Sequence, residues 1–222
     1  DPELLSSLDY VVTGAEKLPS NLAQSFEKKF GKLPFEGYGL TETSPATNVN
    51  LPDLETSTEN LPVISCSKLG SVGPFLPGMA VKITDASTEE PCTVDQSGII
   101  WLRGANVFPG YLDREDLTEE VMIDGWFKTG DVGRMDENGF LYIEGRMSRF
   151  SKIAGEMVPH EVIEGHLNRI LNLDGEEERK ITVVGIPDEQ KGEVIGLLST
   201  ISGDTLQQEL VDIRHQLMDE GI

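Results

Sequence analysis

Cations, cysteines and long apolar runs are all scarce in this 222-residue sequence. Only 18 Lys and Arg stand against 39 Asp and Glu, a net charge of −21. Such a surface repels phosphate backbones, and no basic run exists to release counterions, so no nucleic-acid partner is expected and an anionic membrane face is disfavoured. The longest uncharged apolar stretch, residues 194–201, is far shorter than the roughly 18 residues a spanning helix requires. No direct membrane insertion by this segment is expected, and the expected setting is soluble and cytoplasmic. The two cysteines, Cys66 and Cys92, make no disulfide framework and sit in no motif with a histidine; both read as small apolar fillers. The three histidines, His160, His166 and His215, lack metal-ligand spacing. His160 is expected in the first turn of a helix and the other two on helix surfaces. No Gly-x-Ser-x-Gly pattern is present, so a hydrolytic serine mechanism has no support. What remains is a chain with 38% hydrophobic residues, enough for a core and too many for disorder over most of its length. It begins without Met and stops just after a glycine, and both ends are expected to be cuts through a longer fold.

Residues 8–13 read as a short buried strand. Pro19, Leu22, Phe26 and Phe30 then repeat at helical spacing up to Gly31, a suitable cap. Residues 34–38 read as a second strand running into a loop over 39–50, the end of a strand where ligands sit in open α/β sheets. Residues 52–68 read as a polar surface connection. From 70 to 145 short strand-like runs, including 80–84, 98–103 and 139–144, alternate with Gly and Pro turns and suggest a small barrel or sandwich. After Gly145 the texture changes again. Pro159 opens a helix, 180–186 and 193–201 read as strands, and Leu206, Leu210, Ile213 and Leu217 mark a last helix. The acidic run 174–178 reads as a solvated loop, and no internal repeat is present. The expected fold class is α/β plus a β-barrel subdomain followed by a small α+β domain, with boundaries at 1–65, 66–145 and 146–222.

Three segments carry chemistry. Tyr38-Gly39-Leu40-Thr41-Glu42-Thr43 puts an aromatic, a glycine, two hydroxyls and a carboxylate on one loop after a strand. Glycine lets backbone approach a ligand, threonine can donate to a phosphate, and glutamate offers the hard oxygen that magnesium prefers; a plain polar turn with capping threonines explains the same residues. In Trp126-Phe127-Lys128-Thr129-Gly130-Asp131, following the turn-like Asp124-Gly125, the aspartate can accept two hydrogen bonds from a ribose diol. The alternative is a hairpin with Trp126 and Phe127 in the core, and for the two aromatics that reading is preferred. The third segment, residues 145–156, concentrates Arg146, Arg149 and Lys152 where the texture changes. Cations there suit an anionic ligand, although ordinary solvated side chains look the same by position alone.

Taken in order, with Thr13-Gly14-Ala15-Glu16 upstream, these segments resemble the adenylate-forming superfamily of acyl-CoA synthetases, luciferases and peptide-synthetase adenylation domains. The resemblance covers essentially the whole chain and makes it a partial adenylate-forming fold. Within the superfamily, residues 145–164, with Arg149-Phe150-Ser151-Lys152 and Gly155-Glu156-Met157-Val158-Pro159-His160, are most similar to the synthetase half of bifunctional acyl-[acyl-carrier-protein] synthetase/acyltransferases. The resemblance implies ATP-dependent activation of a fatty acid to acyl-AMP, then transfer to a phosphopantetheine thiol of acyl carrier protein or of coenzyme A, with magnesium as cofactor.

It also implies roles. Gly14, Ala15 and Glu16 line the adenine side and Tyr38 flanks the ring; Thr41 contacts the α-phosphate, Glu42 the magnesium, and Gly39 borders the acyl pocket. Asp131 holds the ribose hydroxyls and Arg146 the ribose or phosphate. Ser148 stands at the hinge, where relatives commonly carry Asp or Lys. Lys152 and the Ala154-Gly155-Glu156 loop serve the thioester step. Two family elements have no counterpart in these residues, the Ser/Thr/Gly-rich phosphate loop and the near-C-terminal lysine, so the chain alone is expected not to complete adenylation. A catalytically silent nucleotide-binding module is the alternative; Glu42, Asp131 and Lys152, all present, speak against it.

Overall fold

Pro19 and Gly31 bracket the first helix. In the computed structural model, which describes residues 2–54, 63–173 and 179–201, α1 (Ser20–Phe30) ends where Gly31 turns left-handed at φ 68° and returns its N–H to the Glu27 carbonyl at 2.7 Å. The stripe Leu22, Phe26, Phe30 is not its buried face. Ala23 is wholly buried, whereas Leu22 is 55% exposed and the two phenylalanines stack on each other at 4.6 Å. A methyl side chain at the contact lets the helix lie close to its neighbours.

Around α1, β1 (Val12–Thr13) and β2 (Phe35–Tyr38) pair in parallel, Val12 beside Phe35 and Thr13 beside Glu36. The short buried strand expected over 8–13 is corrected here: β1 has only two residues, and Leu8 and Val12 are exposed. β1 ends a three-stranded sheet in the order β1-β2-β3, with β3 (Asn48–Val49) antiparallel to β2. With one neighbour only, it lacks the second ladder that would lengthen and cover it.

The middle of the chain forms a five-stranded antiparallel sheet of β4 (Ala80–Thr84), β5 (Gly98–Arg103), β6 (Met122–Ile123), β7 (Trp126–Met135) and β8 (Leu141–Arg146). Its order is β4-β5-β7-β6, with β8 beside β7. Ile100, Leu102 and Leu141 are its wholly buried residues, joined by Val72, with Tyr38, Phe75 and Met79 packed against them. Asp124 and Gly125, both at positive φ, close the β6–β7 hairpin in two residues, as their sequence suggests. The placement of both aromatics in the core is half right. Phe127 is 2% exposed, but successive strand residues face opposite sides, so Trp126 lies on the outer face with Lys82 5.0 Å from its ring. α2 (Glu115–Val121) interrupts what reads as an all-β stretch; its signal is the acidic pair Glu115 and Asp116 in the first turn, favourable at a helix N-terminus.

The chain divides into two compact units, Asp1–Glu144 and Gly145–Ile222. In the second, β9 (Phe150–Ile153), β10 (Glu156–Pro159), β11 (Ile181–Asp188) and β12 (Gly192–Ser199) form an antiparallel sheet in the order β10-β9-β12-β11. α3 (His160–Ile170) starts directly after Pro159, and its Ile163 and Leu167 pack with Ile181 and Val183 of β11 into the core. The helix marked by Leu206, Leu210, Ile213 and Leu217, the run 174–178 and His215 lie outside the described residues. Among the described residues no helix is long and apolar enough to cross a membrane.

Candidate functional site

Because β1 and β2 run parallel, the loops that follow them leave the same edge of the sheet. Gly14, Ala15 and Glu16 are exposed in the first loop, with Ala15 held at φ 73°. Tyr38 is the last residue of β2, and its phenol donates to Asp131 Oδ2 at 2.5 Å across 93 residues of sequence. Asp131 is only 4% exposed. A bulge aims it: between the pairs Ile99–Val132 and Trp101–Lys128, the three residues Thr129, Gly130 and Asp131 stand opposite Ile100 alone. Gly130 supplies the φ of 74° that the bulge requires, and Thr129 Oγ1 closes the gap by donating to the Ile100 carbonyl at 2.8 Å and accepting the Asp131 N–H at 3.0 Å.

The second loop opens with a single 3₁₀ turn, Thr41–Thr43, in which Thr41 is exposed, Glu42 half-buried and Thr43 wholly buried. Thr43 Oγ1 accepts the Leu40 N–H at 2.9 Å and lies within donating reach of the Leu40 and Pro45 carbonyls. Three residues from the segment after β5 staple this loop, and nothing in the sequence pointed to them. Asn106 Nδ2 donates to the Thr43 and Ala46 carbonyls at 2.8 and 2.9 Å, the Phe108 N–H donates to the Glu42 carbonyl at 2.8 Å, and the Tyr111 phenol donates to Glu42 Oε1 at 2.7 Å. Gly39 has a local reason of its own. A Cβ there would fall on the Pro45 carbonyl oxygen and within 2.7 Å of Ala46 Cα, so the loop's own backbone fills the space that the sequence assigns to a ligand. Gly39→Ala is therefore expected to cost about 1–3 kcal/mol in the first unit through overpacking, read as a lower urea midpoint; an unchanged midpoint would show that the loop yields freely.

In the second unit, Arg146 ends β8 on the surface and Ser148 lies exposed in the 3₁₀ turn Met147–Arg149. Arg149 departs from the expected cationic patch. Glu164, 8% exposed at its side chain, draws it inward: Nη2 meets Glu164 Oε1 at 2.6 Å and Nη1 donates to the Val183 carbonyl at 3.1 Å. Lys152 is exposed on β9, and its N–H donates to Glu193 Oε2 at 2.6 Å. The expected Ala154-Gly155-Glu156 loop is a two-residue hairpin turn, Ala154 at φ 51° and Gly155 at φ 97°, with Glu156 opening β10 opposite Ile153. His160 is the first residue of α3, yet it is 3% exposed and bonds Ser151 at 2.8 Å. Burial, and then the charge of Arg149, push its imidazole below the ordinary value. His166 is half-buried beside Arg169, 3.2 Å from its guanidinium.

The structure thus gathers Tyr38 and Asp131 by direct contact, sets the loops of Gly14–Glu16 and Thr41–Glu42 on one sheet edge, and collects Lys152, Ala154, Gly155 and Glu156 in one hairpin. Among the described residues no three His, Cys, Asp or Glu converge as a metal cage. A lone half-buried carboxylate, Glu42, fits a magnesium ion carried chiefly by phosphates and water rather than one held by protein alone.

The family model described as AMP-binding enzyme matches residues 1–112, which include the loops after β1 and β2. The chain belongs to the AMP-binding enzyme family. It is 34% identical over 199 residues to a long-chain-fatty-acid–CoA ligase of Bacillus subtilis (strain 168), covering 87% of this chain and 32% of that protein. Likewise it is 35% identical over 192 residues to a 2-succinylbenzoate–CoA ligase of Bacillus pumilus, covering 86% of this chain and 36% of the relative. This member of the family therefore spans about a third of the length of the curated relatives it matches. Its fold is similar to that of o-succinylbenzoate CoA synthetase from Bacillus subtilis in complex with an acyl-adenylate intermediate, with a TM-score of 0.70, 27% identity and coverage of 95% of this chain and 40% of that one. ATP-bound MatB from Rhodopseudomonas palustris is also similar, with a TM-score of 0.65, 27% identity and coverage of 86% and 35%.

Proposed function

We propose that these residues belong to an ATP-dependent acid–thiol ligase that activates a fatty acid as acyl-AMP and passes the acyl group to a phosphopantetheine thiol. The observation that carries the reading is the bulge-borne Asp131, bonded to Tyr38 at the sheet edge that also presents Thr41 and Glu42. Support comes from relatives named as acid–CoA ligases and from a structural neighbour solved with an acyl-adenylate. The chain then divides functionally into the end of a large nucleotide-binding domain (1–65), a β-subdomain (66–145) and a small mobile domain (146–222).

In the first step a carboxylate oxygen of the acid attacks the α-phosphorus of ATP, the bond to the bridging oxygen breaks, and pyrophosphate leaves. In the second the thiolate sulfur attacks the acyl carbon, the carbon–oxygen bond breaks, AMP leaves, and the thiol proton passes to solvent. Gly14, Ala15, Glu16 and Tyr38 bind the adenine, Asp131 the ribose hydroxyls, Thr41 the α-phosphate, and Arg146 the ribose or phosphate. Gly39 borders the acyl chain through its backbone. Glu42 would hold magnesium, which when bound neutralises phosphate charge. Ser148 is the hinge, and Lys152 with Ala154, Gly155 and Glu156 serves the thiol step. Positioning and charge neutralisation supply most of the acceleration that phosphoryl transfer needs.

The acceptor is either coenzyme A, as in the named relatives, or acyl carrier protein, to which residues 145–164 point. Turned toward Glu164, Arg149 adds nothing to a cationic patch for an acidic carrier. The test is pyrophosphate–ATP exchange by the full-length gene product with a panel of fatty acids, followed by thioester formation with coenzyme A and with holo acyl carrier protein in parallel. Exchange is expected with at least one fatty acid and a thioester with one of the two thiols; no exchange with any carboxylate overturns the ligase.

A further inference from the structure

Beneath the hairpin that carries Lys152 lies a buried pair to which no role has been given above. Ser151 is wholly buried and His160 is 3% exposed; Ser151 Oγ and His160 Nε2 are 2.8 Å apart. Neither reaches solvent, so the pair is no nucleophile and base. Its position is mechanical. Ser151 stands on β9 beside Lys152, and His160 directly follows β10, so the bond ties the two ends of the hairpin to the start of α3.

The other ring nitrogen is the unusual feature. His160 Nδ1 is the one buried side-chain nitrogen or oxygen without a hydrogen-bond partner among the described residues. Whichever tautomer is present, Nε2 is taken by Ser151 and Nδ1 meets nothing, so a second proton has no acceptor. The charged groups around the ring do not supply one. Arg149, from the turn before β9, opposes a positive ring; Glu164 of α3 is already committed to Arg149, the Thr182 hydroxyl and the Val183 N–H; and Glu193 of β12 accepts the Lys152 N–H. A buried donor without an acceptor costs its full desolvation. The ring can charge only by reaching water, and that requires β9 and β10 to part from α3.

We propose that His160 is a positioning residue that keeps the β9–β10 hairpin seated through Ser151 and unseats it on protonation, so that the thiol step slows in mild acid. The catalytic half rests on the reading of Lys152 given above; the mechanical half does not. A single linked proton sets the limit at about tenfold in the opening equilibrium per pH unit. The stability it supplies is fully present above the ordinary histidine value, where folded and open forms are both neutral. It is lost as pH falls below that value, because the open form then binds the extra proton.

Amide hydrogen exchange across the hairpin, corrected for intrinsic rates, and nitrogen-15 spectra of the ring on the 222-residue chain read this directly. Protection of the 152–157 amides is expected to fall up to about tenfold per pH unit below the ordinary histidine value. His160→Gln, which keeps a donor for Ser151 but cannot titrate, is expected to hold a pH-independent protection. Ser151→Ala keeps the titrating ring and loses the tie, so its hairpin opens more at every pH yet retains the acid slope. Equal acid slopes in wild type and His160→Gln, or a ring that protonates while the hairpin stays protected, overturn the proposal. For the catalytic half, acyl-adenylate is given to the full-length gene product with coenzyme A and, in parallel, with holo acyl carrier protein. An acid limb present in wild type and absent in His160→Gln supports it, and one shared by both overturns it. No conversion by wild type at any pH overturns the Lys152 reading and the catalytic half with it, leaving the exchange data to decide the mechanical half.

Discussion

Replacing Asp131 with alanine is expected to weaken AMP binding by about 10–100-fold, because its Oδ2 is already engaged by Tyr38 and one hydrogen bond to a carboxylate is worth roughly 1.5–3 kcal/mol. The effect has a chemical signature. If Asp131 grips the ribose, wild type binds AMP more tightly than 2′,3′-dideoxy-AMP, and Asp131→Ala binds the two alike. Calorimetric titration of both nucleotides into both proteins completes the cycle. The Tyr38 phenol, donating to Oδ2 at 2.5 Å, holds the carboxylate in place, so Tyr38→Phe is expected to show a smaller loss of the same kind. Discrimination between the nucleotides that survives in Asp131→Ala would leave Asp131 as a structural tie between β2 and β7 and remove it from the nucleotide site.

Glu164→Ala is expected to destabilise the second unit by about 1–3 kcal/mol, the cost of leaving buried donors without their acceptor, because the Arg149 side chain keeps 27% exposure and its charge is partly solvated. Glu164 Oε1 receives the Arg149 guanidinium at 2.6 Å, the Thr182 hydroxyl at 2.6 Å and the Val183 N–H at 2.8 Å, joining α3 to β11 and to the turn before β9. Truncation orphans all three donors and leaves Arg149 charged and turned inward. Replacing both residues, with Arg149→Met and Glu164→Leu, is expected to recover most of the loss, since apolar residues of similar volume need no partner. Native-state hydrogen exchange at the Ile163 and Leu167 amides reads both; a single-variant loss below about 1 kcal/mol would show that the pair is solvated enough to be dispensable. The pH dependence follows from the same contacts. Burial by itself raises the Glu164 carboxyl, but the bonds from Arg149, Thr182 and Val183 outweigh it and hold the group below the ordinary carboxylate range. Its contribution is therefore present above the unfolded value and lost as pH falls through the folded one, in acid well below the range in which His160 acts.

Local chemistry was legible in the sequence wherever one short segment contains all that it needs. Gly31 caps α1, Asp124-Gly125 closes a two-residue hairpin, and Pro159 starts α3, because each depends on the backbone preferences of one or two residues. The order of the motifs around Tyr38, Asp131 and Lys152 was likewise sufficient for the family. Burial was less legible. The apolar stripe of α1 and the indole of Trp126 are hydrophobic enough for a core, but the sheet pleat and the close approach at Ala23 decide which face is covered.

Nothing in the sequence indicated that Tyr38 bonds Asp131, that Tyr111 reaches Glu42, or that Ser151 and His160 are sealed together. Polar contacts between segments tens of residues apart depend on register, bulges and strand order, none of which leaves a local trace. Arg149 shows this most plainly. By composition it is one more surface cation; the fold places the buried Glu164 beneath it and leaves it half-buried. The sequence by itself determined the charge, the turn and cap positions and the family, since each of these is a property of residues and their near neighbours. Only the tertiary structure decided which charges are spent on holding the protein together and which remain to meet a ligand, because that choice is made by packing between segments distant in the chain.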